Sequence, residues 1–275
     1  MKTIVPVETD TRLSASYMVH PSEQEGEKLF GAFVHGMSHT RNHALDLIDE
    51  VTPHGIDAVT TDIQSEKAWF KNAISIKSYV RALSKTLHTI EEETRRRIDF
   101  VCGHSMGGRM LQMAMDADPT LRRPTVLMAP VPLTSAWPAT QRAIGRDWKK
   151  MATMALKRDV LHAMKTPDDV RTLFFDGETP DEIVLATMSE LRHTSFRAYL
   201  SLGNPSSLST TDQKTLLLRS DTDELFWDEK YETERALYGD NLTEIALPRG
   251  GHDFFIEFAK DTAKHIADFA HENAT

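Results

Sequence analysis

Residues 100–110 read FVCGHSMGGRM, and this stretch is the strongest local signal in the chain. The apolar residues 98–102 predict a buried strand that turns at Gly103, and the residues from Met106 onward predict a helix. Ser105 lies between the two elements with a glycine two positions away on either side, the G-x-S-x-G pattern. A sharp turn between a strand and a helix holds a serine hydroxyl out from the backbone, and glycine tolerates the close contacts of that turn.

The predicted turn also gives Ser105 a chemical setting. The helix that begins at Met106 directs the positive end of its dipole toward the serine, and the Met106 amide can donate to a developing negative charge. Glycine-rich turns between a strand and a helix occur in nucleotide-binding folds as well. Neither G-x-G-x-x-G nor G-x-x-x-x-G-K-[ST] is present at this turn, so the sequence favours a nucleophilic serine.

Length and composition narrow the class of protein. The 275 residues suffice for one large α/β domain or two small ones. The net charge of −9 argues against nucleic acid or an anionic membrane as the main partner. The first ten residues lack the apolar core of a signal peptide, no apolar run is long enough to span a membrane, and the single cysteine cannot form an internal disulfide. These features predict a cytoplasmic protein.

Short apolar runs alternate with helical patterns along most of the chain. Because such alternation builds parallel sheets covered by helices on both faces, we expect an α/β fold with a mostly parallel sheet. Amphipathic helices are predicted over residues 43–53, 73–93 and 254–271. Strands are predicted over residues 3–7, 12–18, 28–34, 56–61, 98–102, 125–128, 214–219 and 243–247.

Residues 132–212 differ from the rest of the chain because they contain helical patterns and no strand pattern. We interpret them as a helical cap inserted into a core domain made of residues 1–131 and 213–275. Thr166-Pro167 and Thr179-Pro180 are typical of helix starts, with a threonine cap and proline at the first helical position.

Methionines and aromatic residues are frequent in this cap. Because methionine gives a deformable apolar wall, we expect Met151 and Met154 to contact an acyl chain or another apolar group of the substrate. Cap helices are also common protein interfaces, so we consider a homodimer formed through residues 132–212.

A nucleophilic serine needs a base, and the base needs an acid to orient it. In chains with this motif the order is serine, acid, histidine. His252 follows the last predicted strand after two glycines, which places it at the sheet edge where Ser105 emerges. The acid should follow the preceding strand, where Asp221, Asp223 and Glu224 are all candidates.

The loop after the third predicted strand should supply a second donor to the oxyanion. Gly36 would let the backbone turn so that the amide of Met37 points at the developing charge. His35 fits a structural role in this turn better than the role of a second base. His35, His39 and His43 are four residues apart, but the H-E-x-x-H pattern is missing, and we predict no metal site.

Together these motifs resemble the α/β-hydrolase superfamily, in its capped esterase and lipase-like branch. The resemblance implies an eight-stranded sheet whose second strand is antiparallel. It also implies an acid three residues past a small residue at the strand end, which selects Asp223. The motifs are His35-Gly36, Gly103-His104-Ser105-Met106-Gly107-Gly108, residues 220–223 and Gly251-His252.

One segment departs from this resemblance. Many members carry a glycine-rich D-x-x-G-x-G segment before the long helix, whereas residues 62–70 here read DIQSEKAWF, without glycine. That loop often borders the pocket, so Trp69 and Phe70 are candidates for the pocket entrance, with ordinary packing as the alternative role. We also place His35, Gly36 and His104 among the substrate contacts, because they adjoin the serine turn and the oxyanion loop.

The sequence therefore predicts a serine hydrolase for a small-molecule carboxylic ester or thioester, with no cofactor. Ser105 would attack the carbonyl, His252 would take and return the proton, and Asp223 would hold the imidazole. The amides of Met37 and Met106 would bind the oxyanion. Acyl transfer, amide cleavage and carbon–carbon hydrolysis use the same residues and stay open. The alternative outside the enzymes is a ligand receptor on the same fold without catalytic activity. An intact set of serine, histidine and aspartate counts against it.

Overall fold

The computed structural model describes residues 3–9, 12–65, 73–209, 212–227 and 231–274. The strands are β1 (Ile4–Val7), β2 (Leu13–His20), β3 (Leu29–Val34), β4 (Ile56–Ser65), β5 (Phe100–His104), β6 (Thr125–Met128), β7 (Thr215–Ser220) and β8 (Leu242–Leu247). They form one sheet in the order β1-β2-β4-β3-β5-β6-β7-β8. β2 is antiparallel to both neighbours, and the pairings from β4 to β8 are parallel. The predicted mostly parallel, eight-stranded α/β fold is confirmed.

Helices cover both faces of this sheet. They are α1 (Leu45–Val51), α2 (Ile76–Thr94), α3 (Met106–Ala117), α4 (Trp137–Arg146), α5 (Trp148–Lys157), α6 (Pro167–Phe174), α7 (Asp181–Glu190), α8 (Phe196–Ser201), α9 (Glu232–Tyr238), α10 (Phe254–Glu257) and α11 (Ala259–Asn273). One apolar layer packs α2 and α3 against the sheet, and the other packs α1, α10 and α11 against the opposite face. Neighbouring residues of β5 enter different layers, since Val101 lies in the first and Cys102 in the second. Within the described ranges, no helix combines the length and the apolar character needed to cross a bilayer.

Most predicted elements have ends within a few residues of the observed ones, and three differences have a structural cause. β5 continues through His104, so the turn begins at Ser105 and not at Gly103. β4 continues to Ser65 because the whole of the antiparallel strand β2 pairs with it. The last predicted helix is divided into α10 and α11 at Phe258, whose φ of −108° and ψ of 44° leave the helical region.

Helices α4 to α8 lie between β6 and β7 and form the helical insert. An apolar cluster within it includes Val170, Phe174 and Val184, and Met37 of the core packs against this cluster. The other side of the insert is less enclosed, because α4 contains no buried residue and α5 contains one, Met154. The boundaries of the predicted core and cap domains stay a prediction.

Arg109 connects α3 to both ends of the insert. Its buried guanidinium donates hydrogen bonds to the carbonyls of Pro132 (2.8 Å), Leu202 (3.2 Å) and Asn204 (2.5 Å). Burial lowers the pKa of Arg109 to about 10, against the opposing effect of the Glu234 charge. The helix that begins at the serine turn therefore also fixes the position of the insert.

Candidate active site

Ser105 stands between β5 and α3 with a φ of 51° and a ψ of −119°. A positive φ is uncommon for a residue with a side chain and costs about 1–3 kcal/mol. Hydrogen bonds hold this conformation, since the Ser105 amide donates to the Met128 carbonyl (2.9 Å) and the Val131 amide donates to the Ser105 carbonyl (3.1 Å). A methyl group at Gly107 would lie 2.5 Å from the His35 carbonyl oxygen, so glycine lets α3 start against the end of β3.

His252 lies in the loop after β8 and is buried against Asp223, in the loop after β7. His252 Nδ1 is 2.8 Å from Asp223 Oδ2. Asp223 Oδ1 accepts hydrogen bonds from the amides of Leu225 (2.7 Å) and Phe226 (3.0 Å). All the described contacts of this carboxylate therefore hold it against the imidazole ring in one orientation.

The other two candidate acids point elsewhere. The Asp221 side chain is exposed and lies 2.6 Å from Arg219. The Glu224 side chain is also exposed and forms an ion pair with Arg146. Of the three acids that the sequence left open, Asp223 is the one that contacts His252.

The protonation of His252 is set by opposing effects. Complete burial lowers its pKa, but the negative charge and hydrogen bond of Asp223, together with the charge of Asp253, raise the pKa above its usual value. This environment stabilises an imidazolium, which is the state that a general base reaches when it accepts a proton.

The two predicted oxyanion donors belong to residues next to the serine turn, since Met106 directly follows Ser105 and Met37 follows Gly36. Gly36, before Met37, approaches the serine so closely that a methyl group in its place would lie 3.1 Å from Ser105 Cβ. The close approach, and not a positive φ, is what requires glycine here. Among the described residues, neither the Met37 amide nor the Met106 amide has a hydrogen-bond acceptor. Both donors are thus free for a ligand.

A cavity with mostly apolar walls opens onto Ser105 and His252. The hydroxyls of Thr140 and Tyr199 are 2.9 Å apart and add a polar group to the wall. The apolar wall residues from the insert include Ala139, Ala143, Met151, Met154, Met164 and Leu173, and those from the core include Met37, Val131, Leu225 and Phe226.

Three predicted substrate contacts line a different cavity. His35, Gly36 and His104 lie around a separate cavity behind the serine turn, and their contact with substrate stays a prediction. His35 Nδ1 donates to the Gly36 carbonyl (2.8 Å) and its Nε2 accepts from the Ile63 amide (3.0 Å), which matches the structural role expected for it. The predicted contacts of Trp69 and Phe70 fall outside the described residues.

Asp253 lies in a buried polar cluster that the motifs did not indicate. His39 Nε2 is 2.7 Å from Asp253 Oδ2, and His104 Nε2 is 3.3 Å from Asp253 Oδ1. His39 Nδ1 donates to the Met37 carbonyl (2.8 Å), so a proton must also lie between His39 Nε2 and the carboxylate. The cluster joins the loop after β3, the end of β5 and the loop after β8. An acid directly after His252 is the one sequence signal that could have revealed it.

The same three side chains are a candidate metal-binding group, since their ligand atoms lie within 4.8 Å of one another. Two ligand atoms that are each about 2.0 Å from a tetrahedral ion would be about 3.3 Å apart. The 2.7 Å between His39 Nε2 and Asp253 Oδ2 is instead the length of a charge-assisted hydrogen bond. The geometry therefore matches a hydrogen-bonded cluster, and the absence of a metal site stays a prediction.

Comparison with known proteins identifies the family. The model of the alpha/beta hydrolase family matches residues 33–265. Among curated protein sequences, none matches the chain. Similar solved structures include a putative aryl esterase from Burkholderia cenocepacia, with a TM-score of 0.72, 16% identity and 98% of each chain covered. A thermophilic esterase from Thermogutta terrifontis has a TM-score of 0.72 and 13% identity over 100% of both chains. Carboxylesterase CesB from Bacillus subtilis has a TM-score of 0.67 and 10% identity over 98% of this chain and 91% of its own.

The matched residues extend from β3 to α11 and include Ser105, Asp223 and His252. The fold and the site define a serine hydrolase. The chain belongs to the alpha/beta hydrolase family. The solved structures share its fold at low sequence identity, so the substrate has to be inferred from the site.

Proposed function

We propose that the enzyme cleaves carboxylic esters or thioesters with an apolar acyl group, using Ser105, His252 and Asp223 as a catalytic triad. The 2.8 Å contact between His252 Nδ1 and Asp223 Oδ2, behind a cavity that Ser105 and His252 both line, carries this proposal. Because Nδ1 faces the carboxylate, Nε2 is the nitrogen left to accept a proton. The esterases among the similar structures support the same reaction class.

In this mechanism the Ser105 hydroxyl attacks the acyl carbonyl while His252 Nε2 takes the hydroxyl proton. Asp223 holds the proton on Nδ1 and stabilises the imidazolium that forms. The amides of Met37 and Met106 donate hydrogen bonds to the oxyanion of the tetrahedral intermediate. His252 then gives its proton to the leaving alcohol or thiol. A water molecule, deprotonated by the same imidazole, finally hydrolyses the acyl-enzyme.

The cavity supports an apolar acyl group as the part of the substrate that is recognised. Its wall is mostly aliphatic and aromatic, with methionines that adapt to irregular chains. Burial of each methylene group in such a wall contributes about 0.8 kcal/mol. The cavity should therefore favour an acyl chain that fills it over acetate.

The test is the hydrolysis of p-nitrophenyl esters by Ser105→Ala. The expected loss in kcat is about 10⁴- to 10⁶-fold, because the nucleophile is removed. Ser84→Ala on α2, outside the site, is the matched control and should keep wild-type kinetics. Retained activity in Ser105→Ala would contradict the triad. A wild-type protein that binds ligand without turnover, equally well with Ser105→Ala, would favour the receptor hypothesis.

Chain-length preference tests the acyl assignment separately. Ala143→Leu adds volume inside the cavity, so kcat/KM should fall for esters with longer acyl chains, while the acetate ester is hydrolysed as before. Ala186→Leu, on the exposed side of α7, makes the same change outside the cavity and should leave the preference unaltered. Equal losses for all chain lengths in Ala143→Leu would place the acyl group elsewhere.

A further inference from the structure

Helix α5 is apolar on two sides. Met151 and Met154 line the cavity beside Ser105. On another side, Trp148, Ala152, Ala155 and Leu156 are all exposed, at the i, i+4, i+7 and i+8 spacing that forms one helix face. Trp148 is 63% exposed and Leu156 is 89% exposed. A helix normally buries such a face.

The preceding helix also exposes apolar side chains. On α4, Trp137 (49% exposed) and Ile144 (39% exposed) are seven residues apart and share one side of the helix. Seven large apolar side chains are exposed among the described residues, and four of the seven are Trp137, Ile144, Trp148 and Leu156. We call these four the cap surface. Such a concentration of exposed apolar groups marks an interaction site.

The charge around the cap surface is opposite to that of the whole protein, so the net charge that argued against an anionic membrane does not describe this surface. Residues 137–158 contain six lysines and arginines and one aspartate, whereas the chain has a net charge of −9. Some of these cations are paired within the protein, since Arg146 contacts Glu224 and Lys150 contacts Asp169.

Of the other four cations, Arg142 donates to the Leu225 carbonyl (3.1 Å) and lies over the Trp227 ring. Lys149 and Lys157 of α5 and Arg158 at its end are all exposed. None of the three forms an ion pair with a described residue. Lys149 Nζ is 6.0 Å from the centre of the Trp148 ring, so a cation and an aromatic group lie side by side. Exposed tryptophan and leucine bordered by lysine and arginine are typical of helices that lie in a lipid interface.

We propose that the cap surface, with Lys149, Lys157 and Arg158, docks on an anionic phospholipid bilayer. Tryptophan rings prefer the headgroup region, and the lysines would face the anionic headgroups. A second copy of the chain would instead place like charges against each other, which disfavours a homodimer through this surface. Because the inner side of the same helix lines the cavity, docking would bring the substrate cavity to the lipid. The docking rests on exposure and charge and does not depend on the proposed triad.

The experiment is co-sedimentation of the full chain with vesicles of phosphatidylcholine, with and without phosphatidylserine. The wild type should bind the vesicles that contain phosphatidylserine, bind those of phosphatidylcholine alone more weakly, and dissociate as salt is added. The Ser105→Ala variant should bind equally well, which separates docking from catalysis. Failure of the wild type to bind, or equal binding to both vesicles without salt dependence, would overturn the proposal.

Variants locate the surface. The double variant Trp148→Ser and Leu156→Ser should lose at least about tenfold in vesicle affinity, because two apolar anchors are removed. Replacing Lys149 and Lys157 by glutamine should weaken binding to phosphatidylserine about fivefold for each lysine. Leu185→Ser, which removes an exposed leucine of α7, should bind like the wild type.

Two further measurements test whether the variants are folded and whether the cap surface joins two copies of the chain. Both double variants should retain wild-type hydrolysis of a water-soluble ester, which shows that they are folded. Sedimentation velocity without lipid should give the same oligomeric state for the wild type and for the variant of Trp148 and Leu156. A dimer that this variant dissociates would assign the cap surface to contact between copies and overturn lipid docking.

Discussion

At the carboxyl edge of the sheet, Ser105, Asp223 and His252 are buried and hydrogen-bonded to neighbouring strands and loops, whereas α4 and α5 contain a single buried residue between them. The first region is held by many contacts and presents one reactive arrangement. The second presents apolar side chains both to the cavity and to the outside. The difference indicates that the sheet edge sets the chemistry, and that the cap determines what reaches it. Arg109 joins the two regions.

The largest expected effect concerns the sheet edge. In Asp223→Asn, the amide would present a donor to His252 Nδ1 and favour the wrong tautomer, so kcat should fall about 10³- to 10⁴-fold. Asp221→Asn removes an exposed carboxylate two residues away and should leave kcat unchanged. Steady-state kinetics on one ester checks both variants. Equal losses of kcat in the two variants would show that Asp223 is not the acid that orients His252.

The connection between the two regions comes next. Arg109→Met removes the donor to the carbonyls of Pro132, Leu202 and Asn204, of which Leu202 keeps a hydrogen bond from the Ala136 amide. The free energy of unfolding should therefore fall by about 3 kcal/mol. Arg81→Met, on the exposed side of α2, is the control and should change it by less than about 0.5 kcal/mol. Urea denaturation measures both. A loss as small as that of the control would show that other contacts hold the insert.

The buried cluster behind the site can be tested through the pH profile. Asp253→Asn removes a charge that raises the pKa of His252, and His252 must be neutral to act as a base. The acidic limb of kcat/KM should therefore move to lower pH. The contact with His39 also loses its charge, and the weaker hold on the Met37 loop should lower kcat about tenfold.

Asp261→Asn, an exposed change on α11, is the control for this shift. A lower kcat with an unmoved pH profile would contradict the electrostatic role of Asp253 and leave only a structural one.

The last prediction concerns Glu234, which accepts a hydrogen bond from the Leu133 amide (2.7 Å) at the start of the insert. Burial raises its pKa from 4.5 to about 7. The folded state thus holds the proton of the Glu234 carboxyl more tightly than the unfolded chain does. The contribution of this proton to the free energy of unfolding is therefore complete below about pH 4.5 and is lost as the pH rises through about 7.

Glu234→Gln keeps an acceptor for Leu133 and removes this titration. When the pH is raised from about 5 to about 8, the wild type loses this contribution and the variant does not. The free energy of unfolding of the variant should therefore rise, relative to that of the wild type, by on the order of 2 kcal/mol. Urea denaturation at both pH values measures the difference, and parallel pH dependence in the two proteins would contradict it.

The parts of the enzyme that could be predicted from sequence depend on local patterns. Ser105 follows from glycine spacing and from the change between strand and helix periodicity, and His252 follows from its position after the last strand. The choice of Asp223 needed the resemblance, because it depends on the turn whose Leu225 and Phe226 amides orient the carboxylate. The cluster of His39 and Asp253 joins residues 214 positions apart and has no local pattern.

The cap shows the same limit. Thr166 accepts a hydrogen bond from the Asp169 amide, so the helix start predicted there is confirmed. Thr179 instead donates to Glu257, which lies 78 residues away, and α7 starts later, at Asp181. Helix capping could be predicted where the partner is three residues away, but not where a distant side chain competes for the same hydroxyl.

Activation of Ser105 by His252 can be measured by labelling the folded protein with a fluorophosphonate and mapping the labelled peptide by mass spectrometry. We expect rapid formation of one adduct on Ser105 in the wild type and none in His252→Ala over the same time. An adduct on a different residue, or equal labelling of Ser105 in both proteins, would contradict it.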